Sequence, residues 1–429
     1  MLVMEGVPKN IARAGRKTTV ILFLAQSLIS AGMISTATVL SILGEQLSGS
    51  PAWAGVPSAT IQLAAAPFAY VWGMAWDRIG RRNGLALGLV MGLVGMVVGL
   101  TAIQTGSMWF FLLGLVGLGG ARAAMQLARF IAAEVNPPQS RGRAISYVVL
   151  GGTFGAVGGP LLVAPSGRWA LAAGLPEMAG PFAASVVLFG AAVAITWLGL
   201  RPEPMAVGQE VAALFPEREN PTGSARKLGT LVRLPGVFVA MTAMVLAPMA
   251  MTMITDMTSL YMKDHEQTLG SISLVFSAHT LGMFAFSVLS GKLADSQGRG
   301  PVILAGTGLM ITSLVLAPVS SGVVPLAAAL FLLGLGWNLC FVGGSALLAD
   351  HLTPMERSRT QGFNDLLIGL VSAMGSLGSG VVFASMGFVM VSVVGVALVL
   401  IVLAVTVWWR LSISSRVTGW QSAMGQDVV

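Results

Sequence analysis

The sequence predicts an all-α membrane protein of twelve transmembrane helices, arranged as two pseudo-symmetric six-helix bundles. Three observations carry that prediction: an apolar excess too large for a water-soluble core, basic residues confined to alternate loops, and a six-helix pattern that occurs twice.

The apolar excess comes first. Of 429 residues, 55% are hydrophobic and only 10% charged, with a mean hydropathy of +0.83. Lipid is the solvent that such a chain needs. Apolar segments long enough to cross a hydrocarbon layer of about 30 Å recur along the chain. They predict helices over 18–42, 53–75, 83–104, 108–133, 143–164 and 179–200, then over 236–261, 270–291, 300–318, 323–349, 362–384 and 387–409. The 54 glycines suit such helices, because small residues let backbones approach closely in a membrane. The first segment is too long for a signal-peptide core and lacks a suitably placed A-x-A site, so it is expected to stay as the first helix.

Charge placement orients the helices. Twenty of the 24 Lys and Arg residues fall in the tails and in the loops on one side. The opposite side holds Arg168 and Lys263, while Arg122 and Arg129 lie within the fourth segment. This positive-inside asymmetry predicts a multi-pass protein of the cell inner membrane with both termini cytoplasmic. It also explains a pI near 10.2 without nucleic acid as a partner. The single Cys340 excludes an intramolecular disulfide and a cysteine-based metal cluster.

The duplication is the most specific signal. A polar, proline-containing stretch separates six segments from six, dividing the chain into a 1–200 bundle, a 201–235 cytoplasmic linker and a 236–429 bundle. After the second segment come Gly73, Asp77, Arg78, Gly80, Arg81 and Arg82; after the eighth come Gly291, Asp295, Gly298 and Arg299, at an offset of 218. After the fourth segment, Glu134, Pro138, Arg141 and Arg143 are matched by Asp350, Pro354, Arg357 and Arg359, at an offset of 216. Two motifs at nearly one offset mark a duplicated six-helix unit.

These motifs resemble the major facilitator superfamily. Residues 73–82 match its loop signature G-x-x-x-D-R-x-G-R-R/K in full, and residues 291–299 form a degenerate second copy. In the fifth segment Gly155, Gly159 and Pro160 resemble the G-x-x-x-G-P part of a pattern associated with proton-driven exporters, although Ser146 stands where its upstream glycine is expected. The resemblance implies a secondary transporter that works by alternating access. It implies that Asp77 lies near the start of the eleventh helix, around Gln361 and Gly362, where the helix dipole favours an anion. On that reading Gly73, Asp77, Arg78, Gly80, Arg81, Asp295 and Arg299 are gate residues, with Arg129 or Arg143 also pairing with Asp77, and Asp365 with Arg81, in the outward-open state. The glycines and Pro160 resemble elements that kink a helix and pack it closely across the two halves.

Ionisable residues within the membrane are costly and are functional candidates by default. Arg122 falls mid-helix, its repeat counterpart is Asn338, and a guanidinium there could hold a carboxylate or phosphate bidentately; a structural charge paired inside the bundle is the alternative. Asp256 and His279 are candidates for proton coupling, against an outer gate or solvated rim for Asp256 and a packing histidine for His279. Gln26, Gln62, Gln126 and Trp337 complete the candidate substrate-binding set with Arg122 and Asn338, although each could serve an interhelical hydrogen bond instead. Met249, Met253 and Met257 share one helix face; they suit adaptable packing or an apolar wall better than a soft metal.

There is no P-loop, H-E-x-x-H or G-x-S-x-G sequence, so neither an enzyme nor an ATP-driven pump is expected, and no cofactor or metal. The expected function is proton-coupled efflux of a small organic molecule by an antiporter acting as a monomer. The alternative is an importer or facilitator of an organic anion held by Arg122.

Overall fold

The computed structural model describes residues 8–215 and 226–424, with only the backbone for residues 354, 355, 358 and 413–424. The middle of the predicted linker, 216–225, therefore lies outside the described residues. Among the described residues all regular structure is helical.

The first predicted segment divides into α1 (Lys9–Ala37) and α2 (Leu40–Ser48), and the next three are α3 (Val56–Ile79), α4 (Arg81–Thr105) and α5 (Met108–Glu134). The fifth divides at Pro160 into α6 (Arg141–Gly158) and α7 (Val163–Ala172), joined by a 3-10 turn over Pro160–Leu162, and α8 (Ala179–Gly199) closes the first six. Inside the predicted linker are α9 (Pro204–Leu214) and α10 (Leu228–Val232). Then follow α11 (Pro235–Asp264), the eighth segment as α12 (Leu269–Phe284) and α13 (Ser287–Gln297), and α14 (Arg299–Leu316), α15 (Val323–Asp350) and α16 (Pro354–Met424).

Among the described residues ten stretches are long and apolar enough to cross a membrane, the last being Arg359–Ser412 with 54 residues. That stretch is broken at Gly387, whose φ of 77° is non-helical, and its length suits two crossings of about twenty residues each. α3, at 24 residues, is long enough but more polar, carrying Gln62, Tyr70, Asp77 and Arg78. Counting α3 and the two arms of α16 gives the twelve-helix, two-bundle fold.

By contacts the chain divides into two compact units, Met1–Thr222 with Asp256–Ser277, and Gly223–Thr255 with Ala278–Val429. The end of α11 thus belongs to the first unit. In that unit α1 packs on α6 and α8, α4 on α5 and α8, and α3 on α5. In the second, α14 packs on α15 and α16, and α13 on α15, over a core that includes Met241, Met244, Ile303, Leu347 and Val402.

Glycine makes several of these contacts possible. A Cβ at Gly155 would run into the carbonyl of Ser27 and lie 2.8 Å from the amide of Ala31, and one at Gly159 would lie 2.6 Å from the carbonyl of Ala31. With Gly151 against the carbonyl of Phe23, α6 offers a seam at four-residue spacing to a matching ladder on α1. These glycines pack closely against α1 of the same six-helix repeat. The linker is polar overall, yet α9 turns Val207 and Val211 onto Ile11 and Val135, a one-sided apolar helix between proline-containing flanks.

Candidate binding residue and gates

At the end of each unit that carries the repeated loop motif, the same three-residue arrangement is built twice. In the first, Gly80 has φ 85° and Gly298 matches it in the second at 90°, a left-handed conformation that glycine adopts at little cost. This turn brings the arginine that follows back over the preceding helix. Arg81 Nη1 donates to Asp77 Oδ1 at 2.6 Å and its Nε to Glu134 Oε2 at 3.0 Å. Arg299 Nη1 donates to Asp295 Oδ1 at 2.6 Å and its Nε to Asp350 Oδ2 at 3.0 Å. A planar fork thereby ties three helices in each unit.

Asp77 takes Arg81 as its partner here. The reason is local: four residues apart across the glycine turn, the two side chains meet without help from another helix. Arg129 stacks over Phe130 at 5.1 Å from the ring centroid, and Asp365 accepts from Gln361 on its own helix at 2.8 Å. Arg78 is exposed, and Gly73 lies inside α3 with open space where a Cβ would sit, so Gly80 and not Gly73 makes the turn. Glu134 and Asp350, the second acids of the two clusters, were legible only as repeated acids at one offset.

Among the described residues, one element is added to the first cluster alone. Glu203, just before α9, accepts from the backbone N–H of Arg82 at 3.0 Å and so caps the positive end of α4. In the second unit Arg226 clasps Glu356, with Nε to Oε1 and Nη2 to Oε2 both at 2.8 Å. The guanidinium of Arg226 holds the Glu356 carboxyl well below the usual carboxylate range. Sequence reading missed both pairs, since neither is local.

The repeat counterparts Arg122 and Asn338 have opposite environments. Asn338 is buried: its Nδ2 donates to the Met283 carbonyl at 2.7 Å and to Ser287 Oγ at 2.9 Å, and its Oδ1 accepts from Ser290 Oγ at 2.6 Å. It therefore sutures the break between α12 and α13, supplying a donor to a carbonyl in the last turn of α12 that the helix itself leaves open. The first copy has Pro67 inside α3 at the position equivalent to Ala285 in that break. Arg122 is exposed on α5, as is Gln126 one turn on, and among the described residues it makes no hydrogen bond or ion pair. A guanidinium turned to lipid at mid-span would cost about 2.5–3.5 kcal/mol on insertion scales.

The remaining candidates are distributed. Gln26 Nε2 donates to Ser30 Oγ at 3.0 Å on α1, and Gln62 Nε2 contacts the Ser58 carbonyl at 3.4 Å on α3. Trp337 stacks on Phe341 with centroids 5.1 Å apart and meets Phe284 edge-on. Asp256 Oδ1 accepts from Ser58 Oγ at 3.0 Å. His279 is buried with Nδ1 2.9 Å from the Leu330 carbonyl, a contact between α12 and α15. Met253 and Met257 are buried, and Met249 lies against Gly375, as packing requires. Among the described residues no group of three or more His, Cys, Asp or Glu gathers to hold a metal.

Known proteins place this architecture. A family model described as Major Facilitator Superfamily matches residues 22–268 and 257–424. The chain is 32% identical over 397 residues to the uncharacterized MFS-type transporter YdeG of Bacillus subtilis (strain 168), covering 92% of each chain. It is 29% identical over 383 residues to the riboflavin transporter RfnT of Brucella anthropi, covering 88% of this chain and 92% of that one. Among solved structures it resembles the nucleoside transporter NupG, with a TM-score of 0.67 at 17% identity over 93% of this chain and 98% of that one. Duplicated loop motif, twelve-helix fold and family match agree: this chain belongs to the Major Facilitator Superfamily, and it is a multi-pass membrane protein that transports small molecules and is not an enzyme.

Proposed function

We propose that the protein moves a small organic anion across the inner membrane by alternating access, with Arg122 holding the carboxylate or phosphate of the substrate. The observation that carries this reading is an exposed mid-span guanidinium with no partner among the described residues. A permanent charge in that position is costly unless something binds it, and a planar five-donor fork fits a carboxylate or phosphate. Gln126, one turn along the same helix, adds an amide donor. The relative named for riboflavin supports an organic substrate over an inorganic one. The asymmetry of Lys and Arg supports cytoplasmic termini.

For direction we favour export in exchange for protons, supported by the G-x-x-x-G-P pattern in α6 and by Asp256, a carboxyl group within α11 that can carry a proton. A thermal-shift screen of carboxylates, phosphates and neutral analogues tests substrate class. Anions are expected to stabilise the wild type and to lose that effect in Arg122→Ala; equal stabilisation of both proteins refutes the site. An imposed pH gradient across proteoliposomes, in both orientations, separates proton exchange from facilitated import.

A further inference from the structure

Two side-chain contacts in the first unit share an unusual arithmetic. Ser41 Oγ and Ser259 Oγ are 2.6 Å apart, and Lys263 Nζ donates to Glu45 Oε2 at 2.8 Å. Each pair is separated by 218 residues, the offset that relates Asp77 to Asp295 and Gly80 to Gly298. In each contact a position touches its own repeat copy. We propose that α2 and the last turns of α11 form a latch at the end of the protein opposite the basic loops, and that its specificity comes from charge divergence between duplicated positions.

A self-contact of this kind constrains the residue types. At positions 41 and 259 both copies are serine, and two hydroxyls can pair because each is both donor and acceptor. At 45 and 263 an unchanged duplicate would set Glu against Glu or Lys against Lys, and like charges at such a contact are repulsive. Divergence to Glu45 and Lys263 converts the clash into an ion pair. The pair is half-sheltered, its side chains 22% and 33% exposed, so it is less screened than a free surface pair.

The latch is seated on both sides. α2 is held against the turn that follows it, since a Cβ at Gly44 would lie 2.8 Å from the Trp53 carbonyl. One turn before Ser259 and Leu260, Asp256 accepts from Ser58 at the start of α3. Ser41 and Glu45 lie four residues apart on α2, as do Ser259 and Lys263 on α11, so both contacts line one helical seam. Oppositely charged ends and matched hydroxyls together make a contact that can open and re-form in one register.

The inference rests on the alternating-access reading, and its test separates the two. In a Cys340→Ala background, Gln62→Cys places a thiol one turn below Ser58. Its labelling by a membrane-impermeant maleimide is measured in right-side-out and inside-out vesicles. Glu45→Lys alone and Lys263→Glu alone are each expected to raise labelling from the outside about ten-fold, the effect of about 1.4 kcal/mol on an equilibrium. The double reversal Glu45→Lys with Lys263→Glu is expected to return it to the starting value. Unchanged outside labelling in both single variants, or a double reversal that labels like the singles, overturns the latch. Outside labelling that rises with no fall in inside labelling keeps the latch and refutes alternating access. Should the single variants fail to fold, oxidation of the Ser41→Cys, Ser259→Cys pair substitutes: reversible cross-linking that stops transport supports the latch, and no cross-link refutes it.

Discussion

Alanine at Gly155 is the sharpest test of how the first unit is held together. The added Cβ would meet the Ser27 carbonyl and the Ala31 amide of α1, both backbone, so no rotamer change relieves the overlap and the two helices must separate. Overpacking typically costs about 1–3 kcal/mol, and an unyielding backbone puts this site near 3 kcal/mol. At about 2 °C per kcal/mol for a large domain, the melting temperature should fall by roughly 6 °C. Gly158 on the same helix is the control, with nothing within 4 Å of its Cβ position; Gly158→Ala should change stability by no more than about 0.5 kcal/mol. Gly152 falls between them, since its Cβ would meet side-chain atoms alone among its nearest neighbours, Gln26 Nε2 at 3.2 Å and Ser30 Oγ at 3.4 Å. The assay is thermal unfolding of the purified protein in detergent, read by intrinsic tryptophan fluorescence. Equal melting temperatures for Gly155→Ala and Gly158→Ala would show that the α1–α6 seam is not close-packed as described.

Three other perturbations give distinct results. Asp77→Asn removes one of two acceptors from Arg81 while Glu134 remains, so transport in proteoliposomes should slow while substrate-induced thermal stabilisation persists; unchanged transport refutes a gating role. Asn338→Leu leaves the Met283 carbonyl and two serine hydroxyls without their amide partner, and should destabilise the second unit by about 2–3 kcal/mol in chemical denaturation, whereas an unaltered midpoint refutes the suture. Glu356 contributes through pH: because Arg226 depresses its folded-state pKa, its stabilisation is fully present above the ordinary Glu value of about 4.3 and is lost as pH falls through the depressed one. Glu356→Gln should therefore melt lower than wild type at pH 7, with the gap closing only on strong acidification; a gap that closes between pH 7 and 5 contradicts the clasp.

How much of this was legible in the sequence depended on the range of each interaction. Lipid-crossing segments are read from composition alone, and the repeat offset exposed Arg81 and Arg299 as equivalent because their partners Asp77 and Asp295 lie four residues away. Glu203 on Arg82, Arg226 on Glu356 and Glu45 on Lys263 join residues 121, 130 and 218 positions apart, and no local periodicity announces them. The kink at Pro160 was legible from its motif, but the break between α12 and α13 was hidden for a different reason. Hydropathy is continuous across it, and Asn338, placed by tertiary packing, satisfies the interrupted backbone. Equivalence between Arg122 and Asn338 was visible, but not that one would be consumed by the fold and the other left open.

The central claim, that Arg122 binds the anionic group of the substrate, is tested most directly by gradient-driven transport of a labelled organic anion into proteoliposomes containing wild-type protein, Arg122→Lys or Arg122→Gln. Loss of a charged hydrogen-bonded partner costs about 2 kcal/mol or more, so Arg122→Gln should lose about 30-fold or more in apparent affinity, with Arg122→Lys in between because it keeps the charge and loses the fork. Transport of the anion by Arg122→Gln with wild-type affinity and rate would contradict the claim.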